Sequence, residues 1–275
     1  MTVWICATCG VEHPGTERPP ESDCEICADD RQWVPESGQS WTTPAELAAE
    51  GATPVHQQLE PDLHRFNRDP SFGIGQWTYL VRTPRGNLLW DPPNHIDPPL
   101  VEQVGKLSGA AVIVASHPHM YGCQVSWSHR LGDVPVLVHA ADREWVRRED
   151  PVLREWRGTE EVLPGVTLVE VGGHFPGSTV AHLRHGSEGA GTLLTGDAIV
   201  PVARKGQVTF LRSYPNRVPL SPGLVRRIVD ALEPYPFERL HSLQGATVDA
   251  DAHGAVRRSA EHYIAWASGR NDHLG

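Results

Sequence analysis

Lysine is nearly absent: Lys106 and Lys205 are the only lysines among 24 basic residues, in a chain of net charge −10. An acidic chain with so few ammonium groups argues against a nucleic-acid partner, since phosphate contacts need a basic face. Long apolar runs are missing too. The longest, such as Ala110–Ala115, have about six residues where a membrane helix needs about 20. The opening MTVWICATCG holds neither a basic segment nor an apolar stretch of signal-peptide length. A cytoplasmic chain with no membrane partner is the expectation. Aromatic residues make up only 7%, yet 39% hydrophobic against 21% charged residues is enough for a core and excludes a disordered chain. A length of 275 residues accommodates one ordinary domain and a small one.

Cysteine is scarce everywhere except at the start. Four of the five lie within the first 27 residues, as Cys6-x2-Cys9 and Cys24-x2-Cys27. Each CxxC turn can aim two thiolates at one tetrahedral ion, and the polar, Pro-rich loop Val11–Asp23 between them suits a zinc ribbon or knuckle. Two disulfides would require an oxidising compartment, of which the sequence gives no sign, and two redox pairs in so short a segment are less economical than one metal. A closed four-thiolate site has no open position, so its zinc is expected to hold structure and do no chemistry. Cys123 stands apart and reads as a small buried hydrophobe.

The texture changes along the chain. Residues 1–35 read as the zinc-ribbon-like module and 36–54 as a connector with a short helix after Thr42-Thr43-Pro44. Residues 55–268 read as the main domain, with 269–275 as a tail. Strands are expected at Gln76–Thr83, Gly86–Trp90, Ala110–Ala115, Val134–Val138, Val166–Val171, Val180–Arg184 and Thr192–Leu194. Helices are expected at Pro99–Leu107, Ala141–Arg148, Pro222–Leu232 and Asp251–Ala267. Interspersed helices and apolar strands make a layered α/β architecture.

Potential ligands follow these strands. Ser116-His117-Pro118-His119-Met120-Tyr121-Gly122 follows the apolar run, and Gly172-Gly173-His174-Phe175-Pro176-Gly177-Ser178 follows Val166–Val171. Thr195-Gly196-Asp197 follows Leu193-Leu194, and Leu240-His241-Ser242 comes late. Side chains on loops leaving strand ends can converge on one ion, which three imidazoles and a carboxylate would hold well. The ordered set resembles the metallo-β-lactamase-fold metallohydrolase superfamily from roughly Val55 to Ala267. That resemblance implies a four-layer αββα sandwich in which His117, His119 and His174 hold a first metal. Asp197 then matches the aspartate that bridges two metals, and His241 the final ligand.

One departure is large. The family pattern His-x-His-x-Asp-His has Tyr121 and Gly122 in its last two places, which removes two ligands of the second metal. A phenolate ligand is costly at neutral pH, given an ordinary tyrosine pKa near 10. One zinc or iron is therefore expected at the histidine-rich site. The leading function is a hydrolase whose mononuclear metal-bound hydroxide attacks an ester, thioester or amide-like bond of a small-molecule substrate. Asp197, Tyr121 and His241 are its catalytic candidates, with the phenol facing the vacated space. The alternatives are a mononuclear non-haem iron oxygenase of persulfide-dioxygenase type and a non-catalytic metal-binding protein. Asp91 matches a family position supporting the metal loop, His95 reads as a solvated loop residue, and His139 as a strand-end or cap residue. Arg212, Tyr214 and Asn216 form a polar insertion that can wall the site.

Overall fold

Parallel strands are covered on both faces and so demand continuous apolar runs, which Leu88–Trp90, Val112–Val114 and Val136–His139 provide. The computed structural model describes residues 1–275. The chain divides into two compact units, Met1–Trp156 and Arg157–Gly275, which part inside the expected span 55–268.

In the first unit, β1 (Thr2–Cys6), β2 (Glu12–Thr16) and β3 (Trp41–Thr42) form a small sheet in the order β2-β1-β3, followed or interrupted by the short helices α1 (Glu25–Ala28) and α2 (Pro44–Ala49). The expected boundary at residue 35 cuts through this sheet, because β3 pairs with β1 through Ile5↔Thr42. Helix α2 begins as its sequence suggests, with Thr43 and Glu46 making a reciprocal capping box and Pro44 in the first turn. A seven-stranded sheet follows. It comprises β4 (Thr53–Glu60), β5 (Leu63–Asp69), β6 (Thr78–Val81), β7 (Leu88–Trp90), β8 (Val112–Val114), β9 (Val136–His139) and β10 (Leu153–Trp156), in the order β10-β9-β8-β7-β6-β5-β4. Strands β7 to β10 run parallel and β4 to β7 antiparallel. Helices α3 (Pro98–Lys106) and α4 (Gln124–Arg130) belong to this unit.

In the second unit, β11 (Thr159–Leu163), β12 (Val166–Glu170), β13 (Thr179–Leu183) and β14 (Thr192–Leu194) precede two small hairpins, β15 (Val200–Pro201) with β16 (Val208–Thr209) and β17 (Leu211–Ser213) with β18 (Val218–Pro219). Helix α5 (Pro222–Leu232), β19 (Arg239–His241), β20 (Thr247–Val248) and α6 (Ala252–Ala267) complete it. Its six-stranded sheet has the order β11-β12-β13-β14-β19-β20, with β14 and β19 parallel. Val225, Ile228 and Leu232 of α5 and Ala255, Val256 and Ala260 of α6 share a buried cluster with Val169, Val180 and Leu193. These recur at three- and four-residue spacing, as an amphipathic helix requires.

Two local expectations change. The helix expected at Ala141–Arg148 is a 3-10 segment, Ala140–Trp145, ending where Val146 turns extended to bury its β-branched side chain. His95, expected in solvent, is 2% exposed. Its Nδ1 lies 3.0 Å from Asn94 Oδ1 and its Nε2 3.3 Å from Asp97 Oδ2, while its carbonyl accepts the Trp127 indole N–H at 3.0 Å. Burial, with a contribution from the Arg68 guanidinium, holds this imidazole down to a pKa of about 3.

A histidine neutral in the folded chain but titrating near 6.5 when unfolded stabilises above that pH and loses its contribution as pH falls toward 3. His95 should therefore cost about 2 kcal/mol by pH 5. His95→Gln should flatten the fall in urea-unfolding midpoint between pH 6.5 and 4. An unchanged slope in the variant would reject this assignment.

Candidate metal centres

The four thiols of the N-terminal sheet meet in a buried cluster: Cys6 Sγ lies 3.7 Å from Cys27 Sγ, and Cys9 Sγ 3.8 Å from Cys24 Sγ. All four cysteines are free, and their sulfurs lie within 4.8 Å of one another. A tetrahedral zinc with bonds of about 2.3 Å sets its sulfurs about 3.8 Å apart, against about 2.0 Å in a disulfide. The electrostatics also fit a cation. Hydrogen bonds from Cys27, Cys6 and Cys9, and one from His13, hold Cys24 far below the usual thiol range. Burial pushes Cys9 well above it. Four thiolates so close need a dication to be charged together. His13 Nε2 lies 3.4 Å from Cys24 Sγ and its ring stands edge-on to Trp41. The CxxC spacing alone does not reveal this thiolate partner.

In the first unit the parallel register assembles a second set. Asp91 follows β7 directly, and β7 pairs with β8 through Trp90↔Val114. Asp91 is fully buried at φ +51, donates its N–H to the Val114 carbonyl at 2.9 Å and accepts the Ser116 N–H on Oδ1 at 2.7 Å. Burial raises its pKa to about 7, against the pull of the Ser116 bond. Ser116 Oγ in turn lies 2.9 Å from His117 Nδ1 and so orients the ring. His117 and His119 flank Pro118 on a single 3-10 turn with ring centroids 5.1 Å apart. Asp91 thus carries the loop, as expected of its position, while Ser116 was legible only as a neighbour of the motif.

In the second unit β12, β14 and β19 point the same way, because β13 is antiparallel to both β12 and β14. His174, Asp197 and His241 therefore leave one edge of the sheet. Ser178 closes the His174 loop: its carbonyl accepts the Val171 and Gly172 N–H groups, and its hydroxyl oxygen accepts the Phe175 N–H. His174 Nδ1 lies 3.3 Å from the Leu211 carbonyl, an arrangement that turns Nε2 toward Asp197 Oδ2, 3.9 Å away. Tyr214 Oη donates to the Asp197 carbonyl at 3.0 Å. The insertion around Arg212 and Tyr214 thus braces two ligands.

The four expected ligands of one ion form a buried group, His117 and His119 in the first unit and His174 and Asp197 in the second. Two ligands of one ion at about 2.1 Å can be no more than about 4.2 Å apart, so the 3.9 Å His174–Asp197 separation suits a shared ion. His241 is not one of this group; it is buried at the end of β19, and its carbonyl accepts the Thr195 N–H at 3.1 Å. His139 caps its 3-10 segment by accepting the Ala141 N–H at 3.3 Å.

Tyr121 is corrected. Its hydroxyl donates to the Asp142 carbonyl at 3.0 Å, and its ring belongs to the apolar cluster that contains the four cysteines. Burial raises its pKa well above the ordinary value. The phenol proton is committed to the protein backbone, so we withdraw the catalytic part expected of it. Gly122 has φ +48, and a Cβ there would meet the Pro92 and Pro93 carbonyl oxygens at 2.8 and 3.0 Å. No imidazole fits where the family pattern carries its last histidine.

No family model matches the chain. The uncharacterized protein YmaE of Bacillus subtilis (strain 168) is 38% identical over 266 residues, 96% of each chain. Among solved structures, the DIM-1 metallo-β-lactamase is 13% identical and covers 77% of this chain and 99% of its own, with a TM-score of 0.58. A metallo-β-lactamase from Pontibacter korlensis is 14% identical with the same coverage and a TM-score of 0.57. These likenesses show the fold: the αββα class expected from the sequence, together with a four-cysteine cluster near the N-terminus.

Cys9→Ser should abolish the sulfur-to-metal charge-transfer bands of the cobalt-substituted protein and lower its melting temperature by several degrees. Retention of those bands at full intensity would contradict a four-thiolate site.

Proposed function

The chain belongs to the same family as YmaE of Bacillus subtilis, and from that premise we propose that it is a hydrolase using one metal ion, zinc, on an ester, thioester or amide-like bond of a small molecule. What supports this reading is the burial of His117 and His119 in the first unit and the buried His174–Asp197 pair, 3.9 Å apart, in the second, which we take as the ligands of that ion. The enclosed backbone at Gly122 supports a mononuclear site, because it leaves the second ion without a ligand. A zinc held by His117, His119, His174 and Asp197 would supply a nucleophile at neutral pH.

The chain's own groups do the rest. The Leu211 carbonyl, which can only accept, fixes the tautomer of His174, Ser116 orients the His117 ring, and Asp91 fixes the loop that carries it. We assign proton transfer to the leaving group to His241, whose strand runs parallel to the one that ends before Asp197. A second zinc, held by the four cysteines, is structural. Cysteines kept as zinc thiolates instead of disulfides suit a reducing compartment, and we favour the cytoplasm on that ground.

His174→Ala and Asp197→Ala should each remove one metal per chain and lower turnover by more than about 100-fold, since loss of an outer-shell partner alone costs 10- to 100-fold. Elemental analysis of the as-isolated protein, with assays on ester, thioester and amide panels, tests this. Near wild-type turnover in either variant rejects the site. Stoichiometric iron with O2 uptake would replace the hydrolase with the oxygenase.

A further inference from the structure

Helix α4 follows the metal loop by a few residues and has no cap of its own: Cys123 stands at the N-cap position without a side-chain cap bond. The first N–H groups of such a helix need acceptors. Here they are met from far away in sequence, by Glu12 at the start of β2. Glu12 Oε1 accepts the Val125 N–H at 2.6 Å and the Ser126 N–H at 3.2 Å, and Oε2 accepts the Ser126 hydroxyl at 2.6 Å. Arg148 Nη1 donates to the same Oε2 at 2.5 Å and to Ser126 Oγ at 2.7 Å. The Glu12 N–H donates to the Gly122 carbonyl at 3.0 Å. Backbone and side chain of one residue, 2% exposed, therefore clamp residues 122 to 126.

Both ends of this clamp lead directly to metal ligands. Toward the N-terminus, Glu12 pairs with Ile5 next to Cys6, and the intervening turn is closed by Cys6 N–H to the Val11 carbonyl and Gly10 N–H to the Cys6 carbonyl. Toward the histidines, the Met120 N–H donates to the His117 carbonyl and the Tyr121 N–H to the Pro118 carbonyl, at 2.9 and 3.2 Å. Tyr121 is itself tethered to Asp142. Only residues 7–11 separate Cys6 from Glu12, and only residues 120–121 separate His119 from Gly122.

We propose that Glu12 is a positioning residue: it ties the His117–His119 loop to the four-cysteine module, so that metal affinity at the histidines depends on the folded, metal-bound state of the module. This inference rests on the reading of the histidine group as a metal site. Without the carboxylate, the Val125 and Ser126 N–H groups, the Ser126 hydroxyl and the Arg148 guanidinium lose their common acceptor, the first turn of α4 opens, and the loop before it loosens. The acid at position 12 then shapes a site it does not touch.

The test is a titration of the full-length apo-protein with cobalt(II). Cobalt bound to thiolates gives intense charge-transfer bands, and cobalt on imidazole and carboxylate gives only weak visible bands, so the two affinities are read separately. Glu12→Ala should weaken the imidazole site at least 10-fold and leave the thiolate bands intact. Glu12→Gln, which keeps an acceptor for the helix, should recover part of the loss. Cys9→Ser should weaken the imidazole site as much as Glu12→Ala. Val104→Ala, a buried change on α3 away from the clamp, should lower the melting temperature without moving that affinity. Should Glu12→Ala not fold, Arg148→Met reads the same clamp and should weaken the imidazole site about threefold. Wild-type affinity at the imidazoles in the clamp variants overturns the inference alone, as does an equal loss in Val104→Ala. A wild-type chain that takes cobalt only on its thiolates overturns the metal-site reading as well.

Discussion

The hydrogen bond from the Ser116 N–H to the buried Asp91 carboxylate is the contact on which the histidine site depends. It joins the ends of two parallel strands whose register is fixed by apolar pairs such as Trp90↔Val114. A carboxylate with no exposed surface is costly to keep charged, as its raised pKa shows. That cost is justified only by what the group orients. It sets Ser116, Ser116 sets the His117 ring, and the 3-10 turn carries the geometry on to His119. The second unit reaches the same end by other means, with carbonyl acceptors and a serine-closed loop in place of a buried acid. In both, hydrogen bonds hold the backbone at the strand ends, and ligands on a scaffold held in advance bind metals with little ordering cost.

Much of this was legible in the sequence because its signals are local. The pairs Cys6/Cys9 and Cys24/Cys27, the turn His117-Pro118-His119 and the strand-end positions of His174 and Asp197 each announce themselves within a few residues. Helix α5 has the bounds its spacing gives, Pro222–Leu232. The hairpin β4–β5 was not visible, because its strands TPVHQQLE and LHRFNRD are polar on one face and carry no strong period. Helix α4 was missed for a related reason: its cap comes from Glu12, so no N-cap signal precedes it.

The Tyr121 correction has the same origin. A motif comparison shows which ligands are missing, but it does not show where the replacement points. Here the phenol turned toward Asp142, and the space at Gly122 is taken by the Pro92 and Pro93 carbonyls. Loss of the second site is therefore a matter of backbone closure as well as of side-chain identity. Reintroducing a histidine at position 122 would meet that closure first.

The most direct test of the account is anomalous diffraction from crystals of the as-isolated full-length protein, recorded on both sides of the zinc and iron absorption edges. The account predicts one zinc peak among Cys6, Cys9, Cys24 and Cys27, and one further zinc peak among His117, His119, His174 and Asp197. Two peaks about 3.5–4 Å apart in the histidine group, the usual spacing of two-metal sites, would contradict the mononuclear centre on which the proposed chemistry rests.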